Sequence, residues 1–462
     1  MSRSITSIDS LRGKRAVVVG LGLSGIAACR LLASRGAEVI ATDSKKADAA
    51  SDDVKALERE GMKLVLGGHE AARLDTSDLV VVSPGVPRFP ELAAAERAGV
   101  PIWGEVELAT RAVNEAAKAA GRKAPRLVAI GGTNGKSTVT SLVGALLERA
   151  GLRTFIGGNL GEPLAAHADE AFDAVVLEVS SFQMERVDTF HPEVSVLLNV
   201  SPDHLDRYDS EIDYAAAKGN AFVNQAITDF AIVPAGDDVC MAQARRGKGR
   251  VVTFGPAGTV DVHADAIVDH RARTTYPRGK LGLAGGHNAL NVAAAVATIG
   301  PFEIDPLVVA AVLEGFRGLP HRMALVRELD GVRYYDDSKG TNVGASVTAV
   351  RGVTEPKVVL IAGGRDKGGS YGPLAEALRE KGRAAVIIGE AAGLIEDAVA
   401  GIVPVRRASS IEEAVRVAAE LAKTGDAVLL SPACSSFDMF RDYKHRGDAF
   451  VAAVLELRRR SA

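Results

Sequence analysis

Short apolar runs alternate with amphipathic stretches along almost the whole chain, in three blocks. The first opens with Ala16-Val17-Val18-Val19-Gly20, an apolar run too short for a helix and closed by glycine, which reads as a buried strand. A helix follows over about Ser24–Arg35, and the runs Glu38–Thr42, Met62–Leu66 and Leu79–Val82 alternate with helical or polar stretches. The second block carries Leu127–Ile130, Phe172–Val179 and Val194–Val200, further strands around Arg250–Phe254, and an Ala-rich helix at Asn288–Ile299. The third has strands at Val358–Ala362, Ala384–Ile388 and Ala427–Leu430 with helices between. The Ala/Lys-rich segment Asn114–Pro125 and the Gly/Pro-containing segment Gly315–Pro320 read as connections, which sets domains at 1–113, 114–318 and 319–462. Strands alternating with helices predict an α/β fold with parallel, doubly wound sheets in all three blocks. In such sheets ligands bind beyond the C-terminal ends of the strands.

Two glycine-rich turns sit at such strand ends. Gly131-Gly132-Thr133-Asn134-Gly135-Lys136-Ser137-Thr138 lies between a strand and a helical pattern over Val139–Ala150. Such a turn offers backbone N–H groups and a helix N-terminus to phosphates; its lysine reaches the outer phosphates and its serine hydroxyl can ligate Mg²⁺. The general phosphate-loop pattern would put glycine where this chain has Ile130. A lone Gly-Lys-Ser is common by chance, and it is the flanking strand and helix that favour the phosphate-binding reading. The second turn, Gly20-Leu21-Gly22-Leu23-Ser24-Gly25, also joins a strand to a helix, with Asp43 ending the next strand. On its own that pattern predicts a nicotinamide-dependent dehydrogenase. Any nucleoside diphosphate could use the same amides, with Asp43 on a ribose or a base; the plain alternative is that the glycines only pack a helix against a sheet.

Other polar groups fall on the same rims. Glu178 ends Ala174-Val175-Val176-Leu177, where a second-strand acid serves the metal in nucleotide-hydrolysing folds. His204, between Asp203 and Asp206, follows the Val194–Val200 run, and any of the three suits a hard cation. Ser210–Asp213 resembles a capping box and starts a helix that carries Lys218 behind Ala215-Ala216-Ala217. A lysine drawn into a buried site can react with carbon dioxide to form a carbamate, but by its residue pattern alone Lys218 reads as an ordinary surface lysine. In the third block, His321-Arg322, Asp336–Asn342, Gly363–Gly369 and Ser431–Ser436 are strand-end loops rich in cationic and hydroxyl groups, which suit an anionic ligand better than solvent.

Bulk properties narrow the function. A chain of 462 residues holds about two to four domains. Its net charge of −3 and 5% aromatic content give no footprint for nucleic acid. Cys29, Cys240 and Cys434 are far apart, so neither a zinc site nor a disulfide scaffold is expected. No apolar run reaches the length of a membrane span and Met1–Asp9 lacks a signal core, so a cytoplasmic location is expected.

Taken in order, Gly132–Thr138, Leu177–Gln183, Asn199–Tyr208, His287-Asn288, His321-Arg322, Asp337-Ser338-Lys339 and Ser431–Cys434 resemble the Mur ligases of peptidoglycan synthesis over nearly the whole chain. The Gly20–Gly25 turn, the Ser180-Ser181-Phe182-Gln183 run and the Ser431–Ser436 segment look most like members that add D-glutamate. The shortened phosphate loop is that family's own form. The resemblance implies a monomeric enzyme with a Rossmann-like N-terminal domain, a central phosphate-loop ATP-binding domain and a Rossmann-like C-terminal domain. Its implied reaction uses ATP to activate the carboxylate of UDP-N-acetylmuramoyl-L-alanine as an acyl phosphate, which the amine of D-glutamate attacks. Gly132, Thr133, Asn134, Gly135, Lys136, Ser137, Thr138, Asn288, Asn291, Arg322 and Asp337 are the implied ATP contacts. Two Mg²⁺ are implied, held through Ser137, Glu178, His204 and a carbamylated Lys218, which reverses the surface reading of that lysine. Lys136, Glu178, His204 and Lys218 are the implied catalytic set. Gly22, Leu23, Ser24, Asp43 and Gly85 would bind the uridine diphosphate, with Asn159, Ser180 and Gln183 on the muramoyl part. Thr341, Lys367, Ser436 and Tyr443 would form the D-glutamate pocket. This chain departs from the family pattern at Tyr443, where a phenylalanine is expected, and at Ser44-Lys45-Lys46, where an arginine is expected. Rival readings are a Mur ligase that adds a different amino acid, a folate polyglutamate ligase without the first domain, and a nucleotide switch without catalysis.

Overall fold

The computed structural model describes residue 5 and residues 7–203, 207–283, 285–367 and 370–458. Its strands form three sheets, one per sequence block. The first contains β1 (Arg15–Val19), β2 (Glu38–Asp43), β3 (Lys63–Leu66), β4 (Leu79–Val82) and β5 (Ile102–Gly104) in the order β3-β2-β1-β4-β5, every pairing parallel. β1 is apolar throughout because both its faces are covered. Ala16 and Val18 pack with Ile26 and Ala27 of the helix Leu23–Ser34; Val17 and Val19 pack with Leu92 and Ala95 of the helix Pro90–Arg97.

The second sheet contains β6 (Arg126–Gly131), β7 (Thr154–Gly158), β8 (Ala174–Glu178), β9 (Val194–Leu197), β10 (Phe230–Pro234), β11 (Arg250–Phe254), β12 (Val260–Val262), β13 (Ala266–Asp269) and β14 (Thr274–Pro277). Their order is β14-β13-β12-β11-β10-β9-β6-β8-β7. The third contains β15 (Ala324–Leu329), β16 (Val332–Asp336), β17 (Val358–Gly363), β18 (Gly382–Ile388), β19 (Val405–Arg407) and β20 (Ala427–Leu430), ordered β15-β16-β20-β17-β18-β19.

The expectation of purely parallel sheets fails at one edge of each of these two. β12 pairs antiparallel with β13, and β15 with β16. Both connections are too short for the crossover that parallel strands need. Between β15 and β16 the turn is Asp330-Gly331, with φ of 52° and 72°, a left-handed pair suited to a two-residue hairpin. The first expected connection is also revised: Asn114–Ala119 are the last turns of the helix Glu105–Ala119, leaving only residues 120–125 as linker. Alanine, lysine and glutamate are strong helix formers, and their run of polar positions is the helix's solvent face.

The chain divides into two compact units: residues 1–200, 214–276 and 292–312, and residues 201–213, 277–291 and 313–462. The first carries two sheets that share one hydrophobic core, from Val18 and Leu32 through Trp103 and Leu108 to Phe190, Val175 and Leu177. Within it, Glu107 of the helix Glu105–Ala119 is buried and accepts the backbone N–H groups of Asp188, Thr189 and Phe190, each at 3.0 Å. It also accepts the Thr189 hydroxyl at 2.7 Å and Arg111 Nε at 2.6 Å. Burial alone would raise this carboxyl; the Thr189, Asp188 and Arg111 bonds outweigh it and hold the group below the usual range. Among the described residues no helix is long and apolar enough to cross a membrane.

Two positions before Glu107, Glu105 is 1% exposed; Oε1 accepts the Ala165 N–H at 3.0 Å and Oε2 has no hydrogen-bond partner among the described residues. Burial pushes its carboxyl up from an ordinary 4.5 to about 7. The unfolded chain therefore gives up this proton near 4.5 while the folded chain keeps it to about 7, so Glu105 costs stability progressively as pH rises through that window. Denaturant unfolding from pH 4 to 8 should show Glu105→Gln gaining on the native protein over this range, by at most roughly 3 kcal/mol. A gap that does not change with pH would contradict the assignment.

Candidate active site

The phosphate loop caps β6 at the middle of the second sheet. Gly132 has φ of +143° and Gly135 of +86°, conformations that side chains resist, and a Cβ on Gly132 would lie 3.0 Å from that of Leu198. Ile130, where the general motif has glycine, is buried within the strand. The helix Lys136–Arg149 starts at the loop's last residues, with Ser137 and Thr138 in its buried first turn. Lys136 Nζ donates to the carbonyls of Gly132 (2.9 Å) and Thr133 (2.7 Å), curling over the loop it serves.

Asn199, just beyond β9, holds the loop from the neighbouring strand. Its Oδ1 accepts the Asn134 N–H at 2.9 Å, its Nδ2 donates to the Asn134 carbonyl at 3.1 Å, and its own carbonyl accepts the Thr133 N–H at 3.0 Å. The Thr133 and Tyr214 hydroxyls lie 3.3 Å apart. Glu178 stands opposite Ile130 in the register of β6 and β8, on the rim from which the loop rises, and is buried. Asn159 donates through Nδ2 to Glu178 Oε1 and through its backbone N–H to the Glu178 carbonyl, both at 2.9 Å.

Lys218 corrects the surface reading drawn from its residue pattern. It lies on the helix Glu211–Gly219, which Ser210 caps by accepting the Asp213 N–H at 3.2 Å. Lys218 is 5% exposed, donates to the Gly132 carbonyl at 2.8 Å and has Nζ 4.4 Å from the Tyr214 ring centroid. The small residues before it let the helix approach the phosphate loop. His204 lies outside the described residues.

On the first sheet, the Gly20–Gly25 turn sits where the strand order reverses, between β1 and β4. A Cβ on Gly25 would fall 1.9 Å from the Gly20 carbonyl oxygen, so only glycine allows the helix to begin there. Asp43 Oδ2 accepts the Leu21 N–H at 2.7 Å and Oδ1 accepts the Lys45 N–H at 2.9 Å, fixing the turn from β2. Gly22 precedes the first turn of the helix Leu23–Ser34, Ser24 lies within it, and the Leu23 side chain is 73% exposed. Gly85, exposed, follows β4 with φ of +86°. Ser180 and Gln183 cap each other across the short helix Ser181–Met184.

In the second unit, Asp337 follows β16, buried; Oδ2 accepts the Ser431 hydroxyl at 2.7 Å and Oδ1 the Met323 N–H at 3.3 Å. Burial raises its carboxyl to about 7 against the opposing pull of Ser431 and Arg322. Asn291 Nδ2 donates to Asn288 Oδ1 at 3.2 Å on the helix Gly286–Ile299. Thr341 donates its N–H to the Lys339 carbonyl, Lys367 is partly exposed, Ser436 is buried, and Tyr443 begins the helix Tyr443–Glu456 with Lys339 Nζ 4.0 Å from its ring centroid.

Sequence reasoning missed the residue that ties these loops together. Arg446, 1% exposed, donates through Nε to the Ser338 hydroxyl (3.0 Å), through Nη2 to the Ser338 carbonyl (2.8 Å) and through both Nη atoms to the Cys434 carbonyl (3.3 Å). Burial lowers it to about 10. The available signal was its place at i, i+4 and i+8 with Phe450 and Val454, an arginine within an apolar stripe.

A serine hydroxyl and a buried carboxylate beside a phosphate loop are hard oxygen donors, and Mg²⁺ in nucleotide sites takes few protein ligands, the rest being phosphate and water. Ser137 and Glu178 fit that ion. Among the described residues no group of three or more His, Cys, Asp or Glu is arranged to hold a metal.

A phosphate loop on one sheet and a glycine turn on another, both at C-terminal strand ends, define a nucleotide-dependent α/β enzyme. Models of the Mur ligase MurD-like N-terminal domain, the Mur ligase middle domain and the Mur ligase glutamate ligase domain match residues 14–104, 130–299 and 321–434. The chain belongs to the Mur ligase family, whose members are ATP-dependent ligases. It is 44% identical over 456 residues to UDP-N-acetylmuramoylalanine--D-glutamate ligase of Pelobacter propionicus, covering 97% of this chain and 100% of that one. In fold it is similar to UDP-N-acetylmuramate-alanine ligase MurC of Thermotoga maritima (TM-score 0.60, 21% identity, 96% of this chain and 99% of that one). It is likewise similar to MurF ligase of Thermotoga maritima in complex with ADP (TM-score 0.60, 16% identity, 98% of each chain).

Asn199→Ala removes both amide contacts to Asn134 while leaving the fold's core untouched. The KM for ATP should rise roughly tenfold, about 1.4 kcal/mol. Initial-rate kinetics with ATP varied would show it, and an unchanged KM would mean the loop holds its shape without this amide.

Proposed function

We propose that the chain joins D-glutamate to UDP-N-acetylmuramoyl-L-alanine at the expense of ATP, a cytoplasmic step of peptidoglycan synthesis, and acts as a monomer. The observation that carries this reading is 44% identity over 97% of the chain with a UDP-N-acetylmuramoylalanine--D-glutamate ligase, on a chain whose strand-end loops have the matching chemistry. In this reading residues 1–113 hold the uridine nucleotide, 114–318 the ATP and 319–462 the amino acid.

A carboxylate is a poor electrophile, and phosphorylation gives it a leaving group. The ATP γ-phosphoryl passes to the terminal carboxylate oxygen and ADP leaves; the D-glutamate amine adds to the acyl carbon; the tetrahedral species collapses to the amide and releases phosphate. Catalysis then consists of positioning and of neutralising phosphoryl charge. Lys136 and the loop amides would hold the outer phosphates. Ser137 and Glu178 would hold one Mg²⁺, with His204 and a carbamylated Lys218 serving a second; these ions supply charge neutralisation. Amides at Gly22 to Ser24, with Asp43 and Gly85, would meet the uridine diphosphate, and Asn159, Ser180 and Gln183 the muramoyl part. Thr341 and Ser436 would donate to the D-glutamate carboxylates and Lys367 would add charge, beside Tyr443.

Phosphate release from ATP in the presence of UDP-N-acetylmuramoyl-L-alanine should depend on D-glutamate, not on L-glutamate, L-lysine or meso-diaminopimelate. Release with a different amino acid would keep the family and reject this substrate. The buried setting of Lys218 supports carbamylation, because desolvation favours the neutral amine that reacts with carbon dioxide. Lys218→Ala should be inactive and recover with added short carboxylic acids; failure to recover would reject the carbamate.

A further inference from the structure

Two strand-end segments of the third sheet, those after β17 and β20, meet around a hydroxyl that the proposed chemistry does not use. Tyr371, 6% exposed, precedes the helix Gly372–Lys381, its ring in the core with Leu374, Leu378 and Cys434. Its hydroxyl donates to Asp366 Oδ1 at 2.6 Å and lies 3.1 Å from Cys434 Sγ. Burial, first, and the Asp366 bond push the phenol well above its ordinary value, and burial pushes the Cys434 thiol up to about 11. Both groups therefore keep their protons, and the bonds run one way: thiol to phenol oxygen, phenol to carboxylate.

This chain of bonds brackets Lys367. Upstream, Arg365 and Ser435 exchange backbone bonds at 2.9 and 3.1 Å, and the Ser435 hydroxyl donates to the Arg365 carbonyl at 3.1 Å. Gly364 makes that approach possible: a Cβ there would lie 2.1 Å from the Ser435 carbonyl oxygen. β17 has ended at Gly363, and past the Arg365–Ser435 pair the Asp366–Tyr371 bond ties the segment to the core. The Cys434 contact leads to Ser435 and Ser436. One phenol thus joins the segment that carries Lys367 to the one that carries Ser436.

We propose that Tyr371 is a positioning residue for amino-acid recognition: its hydroxyl holds the Asp366 carboxylate away from its neighbour Lys367 and fixes the backbone from which that ammonium reaches the acceptor's carboxylate. The inference rests on the reading of Lys367 and Ser436 as part of the D-glutamate pocket. Released from the phenol, a carboxylate one residue from Lys367 would either neutralise the ammonium or repel the carboxylates of the incoming amino acid. Both raise the KM for the amino acid and leave the nucleotide sites alone.

Steady-state kinetics on Tyr371→Phe, Asp366→Asn, the double variant and Lys367→Ala test this. Tyr371→Phe keeps the ring in the core, so folding is preserved; its KM for D-glutamate should rise roughly tenfold with kcat and the KM for ATP unchanged, a loss of binding and not of chemistry. The double variant, with no charge at 366, should recover most of that loss, which a packing defect would not do. An unchanged KM in Tyr371→Phe, or a double variant no better than the single, overturns the inference. If Lys367→Ala leaves the KM for D-glutamate unchanged, the pocket reading fails instead.

Discussion

A parallel strand that ends beneath a ligand leaves the chain beyond it without a ladder, and this protein depends on side chains that replace the missing neighbour. Asp43 binds two backbone N–H groups to fix the first glycine turn; Asn199 takes both the N–H and the carbonyl of Asn134; Arg446 gathers carbonyls from two loops of the third sheet. Each is a polar group, partly buried in Asp43 and Asn199 and fully in Arg446, whose hydrogen-bonding capacity is used on backbone. The matching of donor to acceptor is complementary. Carboxylate meets N–H, amide meets a peptide on both edges, and guanidinium meets carbonyls.

The same solution explains why these loops can stay open for ligand. A loop stabilised by apolar packing would have to bury its own amides, whereas a loop held at its base by one polar side chain keeps the rest of its backbone available. The phosphate loop illustrates this. Its glycines allow the turn, Asn199 and Tyr214 hold it from neighbouring elements, and the first turn of Lys136–Arg149 faces the space it encloses.

Much of this was legible in the sequence. The continuous apolar strands, the two glycine turns and the acid at the end of β8 follow from burial on both faces and from conformations that only glycine tolerates. The antiparallel edges were missed because a strand's own composition does not state its direction; that lies in the length of the connection, and Asp330-Gly331 was the cue. The residue pattern around Lys218 reads as surface because its burial is decided by a loop 86 positions away in sequence, whose Gly132 carbonyl accepts its hydrogen bond; only the family resemblance pointed to the site. Arg446 and Glu107 were missed for the same reason, since a charged residue in a helix is normally a solvated one, and only the partner backbone shows otherwise. Tyr443, in place of the expected phenylalanine, contributes a ring face to Lys339 and a backbone carbonyl to Ser338, neither of which needs its hydroxyl.

The Glu107 clamp and the core that runs from Val18 to Phe190 have a consequence for inheritance. Two sheets that carry different glycine turns are a single unit of cooperativity, so a cavity opened under the first turn lowers the population of molecules with an intact phosphate loop, although no atom near the phosphates has changed. Selection on either site therefore acts on both sheets at once, and the helix Glu105–Ala119 that joins them can drift only where its partners around residues 188–190 drift with it.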